Sequence, residues 1–207
     1  MTRTLPTRSF LVTAAALAAG LVLSGCSGDP GDQPLQSPAG ATAAQPNNSD
    51  VLKGFGLEAI PAQEVVDQLD RTTLADRDQD LFASVRPDGL LVRGPDGAEE
   101  TLPLPEDQFY LSFAPYVTQT HDCFYHSLTT CVGELQNQQM DLTITNMADG
   151  STVVDETVST FDNGFYGLWL PADESFELTV HYGGKTVTAP IGTGPDDPTC
   201  VTTLQLS

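Results

Sequence analysis

Met140 to Ile191 reads MDLTITNMADGSTVVDETVSTFDNGFYGLWLPADESFELTVHYGGKTVTAPI, and this stretch decides the fold. It divides into five short runs, Met140–Thr145, Thr152–Thr160, Phe165–Leu170, Phe176–Tyr182 and Lys185–Ile191, each rich in Val, Thr, Phe, Tyr and Leu. Such residues suit a pleated, half-buried surface. The breaks between runs include Ala148-Asp149-Gly150, Asp162-Asn163-Gly164 and Gly183-Gly184, which supply the positive backbone angles that tight turns need. Adding Phe109–Phe113 upstream and Val201–Leu206 downstream gives seven strand-like runs at near-regular spacing. That pattern predicts a β-sandwich over residues 108–207.

Residues 51–107 have a different texture and predict a small α+β section. Pro61 suits a first helical position, and Val65, Val66 and Leu69 recur at helical spacing along Pro61 to Asp70. Beyond Asp80, the runs Leu81–Val85, Leu90–Val92 and Glu99–Leu102 alternate with Arg86-Pro87-Asp88-Gly89 and Gly94-Pro95-Asp96-Gly97. Pro-Asp-Gly marks turns, so these runs form a meander. The fold class is thus mostly β, with a small α+β N-terminal section. Ser151–Tyr182 resembles the prealbumin-like sandwiches, which supports a prealbumin-like β-sandwich in the C-terminal part and says nothing of function.

Residues 1–25 have the form of a signal peptide. Arg3 and Arg8 make a basic start, and Phe10 to Leu23 is apolar but too short for a permanent membrane span. Leu23-Ser24-Gly25-Cys26 resembles the bacterial lipobox, in which the cysteine is acylated and begins the mature chain. The alternative is an ordinary signal peptide with Cys26 there by coincidence. A lipoprotein would be held to the membrane by several acyl chains, outside the cytoplasm. Residues 26–50 are Gly, Pro, Ser, Gln, Asn and Ala with few large apolar side chains, the composition of a flexible tether.

The 207 residues carry a formal charge of −20. Loss of Arg3 and Arg8 with the leader takes this to −22, with six basic residues against 28 acidic ones. A polyanion repels nucleic acid and anionic lipid, which excludes both as partners held by charge. No Ser/His/Asp set, phosphate-cradling glycine loop or paired carboxylates points to a hydrolase or a nucleotide enzyme. The pattern is that of a binding protein, not an enzyme.

With Cys26 assigned to lipid, Cys123, Cys131 and Cys200 remain, an odd number for an exported chain. His121 and His126 flank Cys123 in His121-Asp122-Cys123-Phe124-Tyr125-His126. Thiolate favours Cu(I) and zinc, and imidazole suits copper and zinc alike. Cu(I) is satisfied by two or three ligands, so three thiolates, or two with one imidazole, make a complete set. Structural zinc usually takes four at tighter spacing, which leaves zinc the second candidate. The three thiols meet if the loop before the last strand reaches the loop after an early one. The rival reading is a Cys123–Cys131 disulfide with Cys200 buried and inert. His121 reads as a solvated loop residue, His181 as a surface residue, and Phe124, Tyr125 and Trp169 as core.

Several blocks resemble the CueP family of envelope copper-binding proteins. They are Ala83–Pro87, Leu102–Pro105, Phe109–Ser112, Ala114–Tyr116, Thr120–Cys131, Asn163–Pro171 and Asp196–Cys200, in that order. The resemblance implies a copper-sequestering protein outside the cytoplasm that supports copper resistance. It further implies transfer of copper to envelope cuproenzymes, reduction of Cu(II) on binding, and two-domain homodimers. Residue by residue, it places the metal-binding cysteines on Cys123, Cys131 and Cys200, and leaves His126 as a candidate ligand. The lipid tether departs from the soluble periplasmic relatives. Three readings follow: a Cu(I) buffer or chaperone, a thiol protein that reduces Cu(II), and a metal-free structural lipoprotein with a Cys123–Cys131 disulfide.

Overall fold

The computed structural model describes residues 45–207, so the leader, Cys26 and the tether through residue 44 lie outside the described residues. Residues 46–50, which the sequence places in the tether, pack onto the folded part. Pro46 bridges Pro61, and the Asn47 side-chain amide donates to the carbonyls of Leu57 and Ile60. Ser49 caps a one-turn helix α1 (Asp50–Lys53) through its hydroxyl, which accepts from the Leu52 amide. Polar side chains replace the backbone partners this segment lacks, so low hydrophobicity does not prevent it from ordering.

Helix α2 (Ala62–Arg71) follows, with Pro61 just outside its first turn. Ala62, Val65, Val66 and Asp70 form its buried stripe, and a carboxylate on that stripe is the unusual member. Strands β1 (Phe82–Arg86), β2 (Gly89–Arg93) and β3 (Glu99–Leu102) make an antiparallel meander. Leu52, Val65, Val66, Ala83, Val85, Leu90, Val92 and Leu128 are buried together between helix and meander.

The remaining strands are β4 (Gln108–Phe113), β5 (Gln139–Asn146), β6 (Thr152–Ser159), β7 (Tyr166–Pro171), β8 (Ser175–Tyr182), β9 (Lys185–Gly192) and β10 (Cys200–Val201). They form two open sheets, in the orders β10-β4-β7 and β6-β5-β8-β9. Phe109, Leu111 and Phe113 of β4 pack with Met140, Leu142 and Ile144 of β5 and with Phe176, Leu178 and Val180 of β8. Alternation puts Tyr110 and Ser112 on the opposite face of β4, and Tyr110 joins the first core instead. Strand β4 is therefore buried on both faces and forms the wall between two cores.

The last predicted strand is shorter than expected. Only Cys200 and Val201 pair with β4, in parallel, and the chain then leaves the ladder for a single bridge between Gln205 and Tyr116. Val201, Leu204 and Leu206 are nonetheless buried, because each fills the sandwich core. Apolar pattern marks the face a segment covers; it does not require every backbone pair to close.

A glycine contact fixes the loop between β6 and β7. Gly164 has φ +79°, and a Cβ there would lie 2.6 Å from the Gly133 carbonyl oxygen. The Gly133 amide donates to the Asn163 carbonyl at 2.7 Å. Two backbones thus touch where no side chain fits, and Asn163 is held at the centre of the molecule. Among the described residues no helix is long and apolar enough to cross a membrane.

Candidate metal centre

The segment from Thr120 to Cys131 has no regular structure of its own, yet it is tied down along its length. The Val85 amide donates to the His126 carbonyl at 2.8 Å, and the Leu128 amide to the Ala83 carbonyl at 2.9 Å. This stretch therefore continues the edge of β1. The Thr199 hydroxyl accepts from the His126 amide at 3.0 Å and donates to the Val85 carbonyl at 2.7 Å. The Cys200 amide donates to the Phe124 carbonyl, and Arg77 donates to the Cys131 carbonyl. Backbone hydrogen bonds, with the Thr199 hydroxyl and the Arg77 side chain, place Cys123, His126, Cys131 and Cys200 side by side.

Their candidate ligand atoms all lie within 4.8 Å of one another. Cys123 and Cys200 are joined by a disulfide across 77 residues of chain, and Cys131 is the free thiol among the described residues. The Cys123–Cys131 disulfide considered above is thus replaced by Cys123–Cys200. Proximity did not exclude the first pairing, since the Cys131 sulfur is 3.6 Å from that of Cys123. The loop before β10 brings Cys200 against the Cys123 segment, and this long-range contact is what the chain spacing did not reveal. His126 Nδ1 lies 3.7 Å from the Cys200 sulfur.

The other histidines stand apart from this group. His121 is partly exposed, with its ring 6.0 Å from that of Phe165, and His181 is exposed on β8 with Nδ1 against the Thr186 hydroxyl. Phe124 and Tyr125 are not core residues: they are 51% and 42% exposed. The chain turns Cys123 and His126 inward, and the two aromatics between them span the outer side of the loop. Trp169 is half-buried, stacked obliquely on Tyr110, and donates to Asp67.

Behind the sulfurs, His126 has polar partners that the sequence did not point to. His126 and Asp70 are both fully buried, with Nε2 and Oδ1 2.9 Å apart. Tyr110 and Asn163 also donate to the Asp70 carboxylate. Burial pushes the Asp70 carboxyl up, but the His126 charge and the hydrogen bonds from His126, Tyr110 and Asn163 outweigh it, so its pKa is lowered. Burial likewise pushes His126 down, and the adjacent Asp70 carboxylate, the hydrogen bond to it and the nearby Cys131 carry the pKa up to about 9. Burial raises the Tyr110 phenol well above its usual value, with Asp70 adding to the effect. Asp70 had one legible signal, a carboxylate four residues after Val66 on an apolar stripe. Tyr110 and Asn163 had none.

A β-rich fold that gathers three sulfurs and an imidazole in a buried cluster defines a protein suited to a soft metal ion. Over residues 64–205 the chain matches the family described as periplasmic copper-binding protein CueP, and it belongs to that family. The crystal structure of S.CueP is 38% identical in sequence and superposes with a TM-score of 0.70, covering 75% of this chain and 94% of that one. No curated protein matches the chain. Copper binding outside the cytoplasm is the property that this family carries.

The His126–Asp70 pair makes stability depend on pH. His126 has a folded pKa of about 9 against an ordinary value of 6.5, so its stabilising effect is complete below 6.5 and lost as pH rises through 9. Thermal unfolding of the copper-free protein should show a falling midpoint across that window, and His126→Ala should remove that dependence.

Proposed function

We propose that this chain is a lipid-anchored envelope protein that holds one Cu(I) ion on the thiolates of Cys123, Cys131 and Cys200. Its role is copper sequestration in support of resistance, with delivery to an envelope cuproenzyme, and it has no catalytic turnover. The convergence of the four donor atoms within 4.8 Å, in a member of a copper-binding family, is the observation that carries this reading. Cu(I) ligation requires the reduced form, in which all three sulfurs bear thiols. Copper displaces their protons, so affinity falls as pH drops. His126 is the candidate fourth donor. Zinc takes four tetrahedral ligands and would need all of them, whereas three suffice for Cu(I).

Competition of the reduced protein against a chromogenic Cu(I) chelator tests the ligand set. One ion per chain is expected in the wild type, with tight binding lost when Cys123, Cys131 and Cys200 are all changed to Ser. Unchanged affinity in that variant refutes the reading.

The Cys123–Cys200 disulfide supports a second activity, stoichiometric reduction of Cu(II). Each of the two thiols gives one electron and releases one proton. Two Cu(II) ions become two Cu(I) ions, and one sulfur–sulfur bond forms. Reduced protein mixed anaerobically with Cu(II) should lose two thiols per chain while two Cu(I) ions appear. Cys200→Ser should abolish this reaction, and a variant that reduces copper as before would exclude this pairing as the electron source.

Acylation of Cys26 would keep the site at the membrane surface, where copper enters or leaves the envelope. Cys26→Ala in the full-length precursor is expected to move the protein from the membrane fraction to the soluble fraction. A variant still sedimenting with membranes would remove the anchor from this proposal.

A further inference from the structure

Asp70 is the next-to-last residue of α2, and its carboxylate meets donors on every side. Oδ1 lies 2.8 Å from the Asn163 side-chain amide and 2.9 Å from His126 Nε2. Oδ2 accepts from the Tyr110 hydroxyl at 2.7 Å and the Ser112 hydroxyl at 3.4 Å. Asn163 also donates to the Asp70 backbone carbonyl, one of those left open at the end of a helix. An ionised carboxylate only accepts hydrogen bonds. The ring nitrogen that faces it must therefore bear the hydrogen, because a bare Nε2 would set two lone pairs against each other in a fully buried place.

With the hydrogen on Nε2, the ring of the neutral imidazole keeps its lone pair on Nδ1. That atom faces the sulfur cluster, 3.7 Å from Cys200. Gly167 of β7 makes the arrangement sterically possible. A Cβ there would overlap the Tyr110 hydroxyl and come within 2.6 Å of Asp70 Oδ2. Metal-bound histidines are commonly oriented in this way, by a carboxylate on the second ring nitrogen.

We propose that Asp70 is the positioning residue of the copper site: its carboxylate fixes His126 as the Nε2–H form and aims the Nδ1 lone pair at copper. The inference deepens the function proposed above and rests on His126 serving as a ligand. It assigns the first section of the chain a part in a site whose donors all come from the second. Helix α2 carries no ligand, but it supplies the group that selects which nitrogen binds.

The deciding measurement is the ring nitrogen-15 spectrum of His126 in the reduced, Cu(I)-loaded mature protein. Copper should shift Nδ1, with Nε2 remaining protonated; a copper shift on Nε2 overturns the inference. If neither nitrogen responds while binding still requires the cysteines, this inference alone fails. If the triple-serine variant keeps its copper, the parent reading fails and this one with it. In variants that fold, Asp70→Ala should weaken Cu(I) binding about 10- to 100-fold. Asp70→Asn should recover most of that loss, since its amide oxygen can still accept from Nε2 while the Tyr110 and Ser112 hydroxyls turn to accept from its nitrogen. Asp70→Ala should cost nothing further in a His126→Ala background. Wild-type affinity in a folded Asp70→Ala protein, or an equal loss without His126, overturns the assignment.

Discussion

A carboxylate and an imidazole, both withdrawn completely from water, lie against each other at the centre of this molecule. Removing such groups from solvent costs several kcal/mol per ion, and their mutual attraction offsets this only when the remaining hydrogen-bonding positions are filled. Here they are filled from four parts of the chain. Asp70 comes from the end of α2, Tyr110 and Ser112 from β4, Asn163 from the glycine-pinned loop, and His126 from the segment along the edge of β1. Each of these parts must be in place for the pair to be tolerated. The polar centre thus ties together the two apolar cores on either side of β4.

The double-sided burial of β4 follows from the same constraint. One face completes the sandwich with Phe109, Leu111 and Phe113, and the other presents Tyr110 and Ser112 to Asp70. Cys200 joins this strand through the parallel pair Cys200–Ser112, so a sulfur of the cysteine cluster and the hydroxyl that faces Asp70 are neighbours in one sheet. The rigid sheet fixes Cys200, while Cys123 and Cys131 sit on a loop held by hydrogen bonds. A loop of this kind can accommodate both a sulfur–sulfur bond and a bound ion, because small shifts of its side chains leave the sheet undisturbed.

Much of the fold was legible because strand and turn signals are local. Alternating Val, Thr and aromatic residues, punctuated by Asp-Gly and Gly-Gly, place β5 to β9 within a residue or two of their positions. The same held for α2, whose stripe of Val65, Val66 and Leu69 has helical period. Less legible were the one-turn α1, which depends on the Ser49 cap, and the abbreviated β10, where burial continues after pairing stops. Phe124 and Tyr125 read as core from composition, although their neighbours' inward direction turns them to solvent.

Residue chemistry by itself determined that this chain has soft donors in a pattern suited to copper, on a β scaffold with a helical first section. Spacing along the chain carries no information about which two of three sulfurs meet first, nor about what lies behind an imidazole. Those outcomes were decided by tertiary structure alone: the Cys123–Cys200 bond, the free Cys131, and the Asp70 carboxylate behind His126. The physical reason is that each depends on contacts between residues far apart in sequence, created only when both cores close around β4.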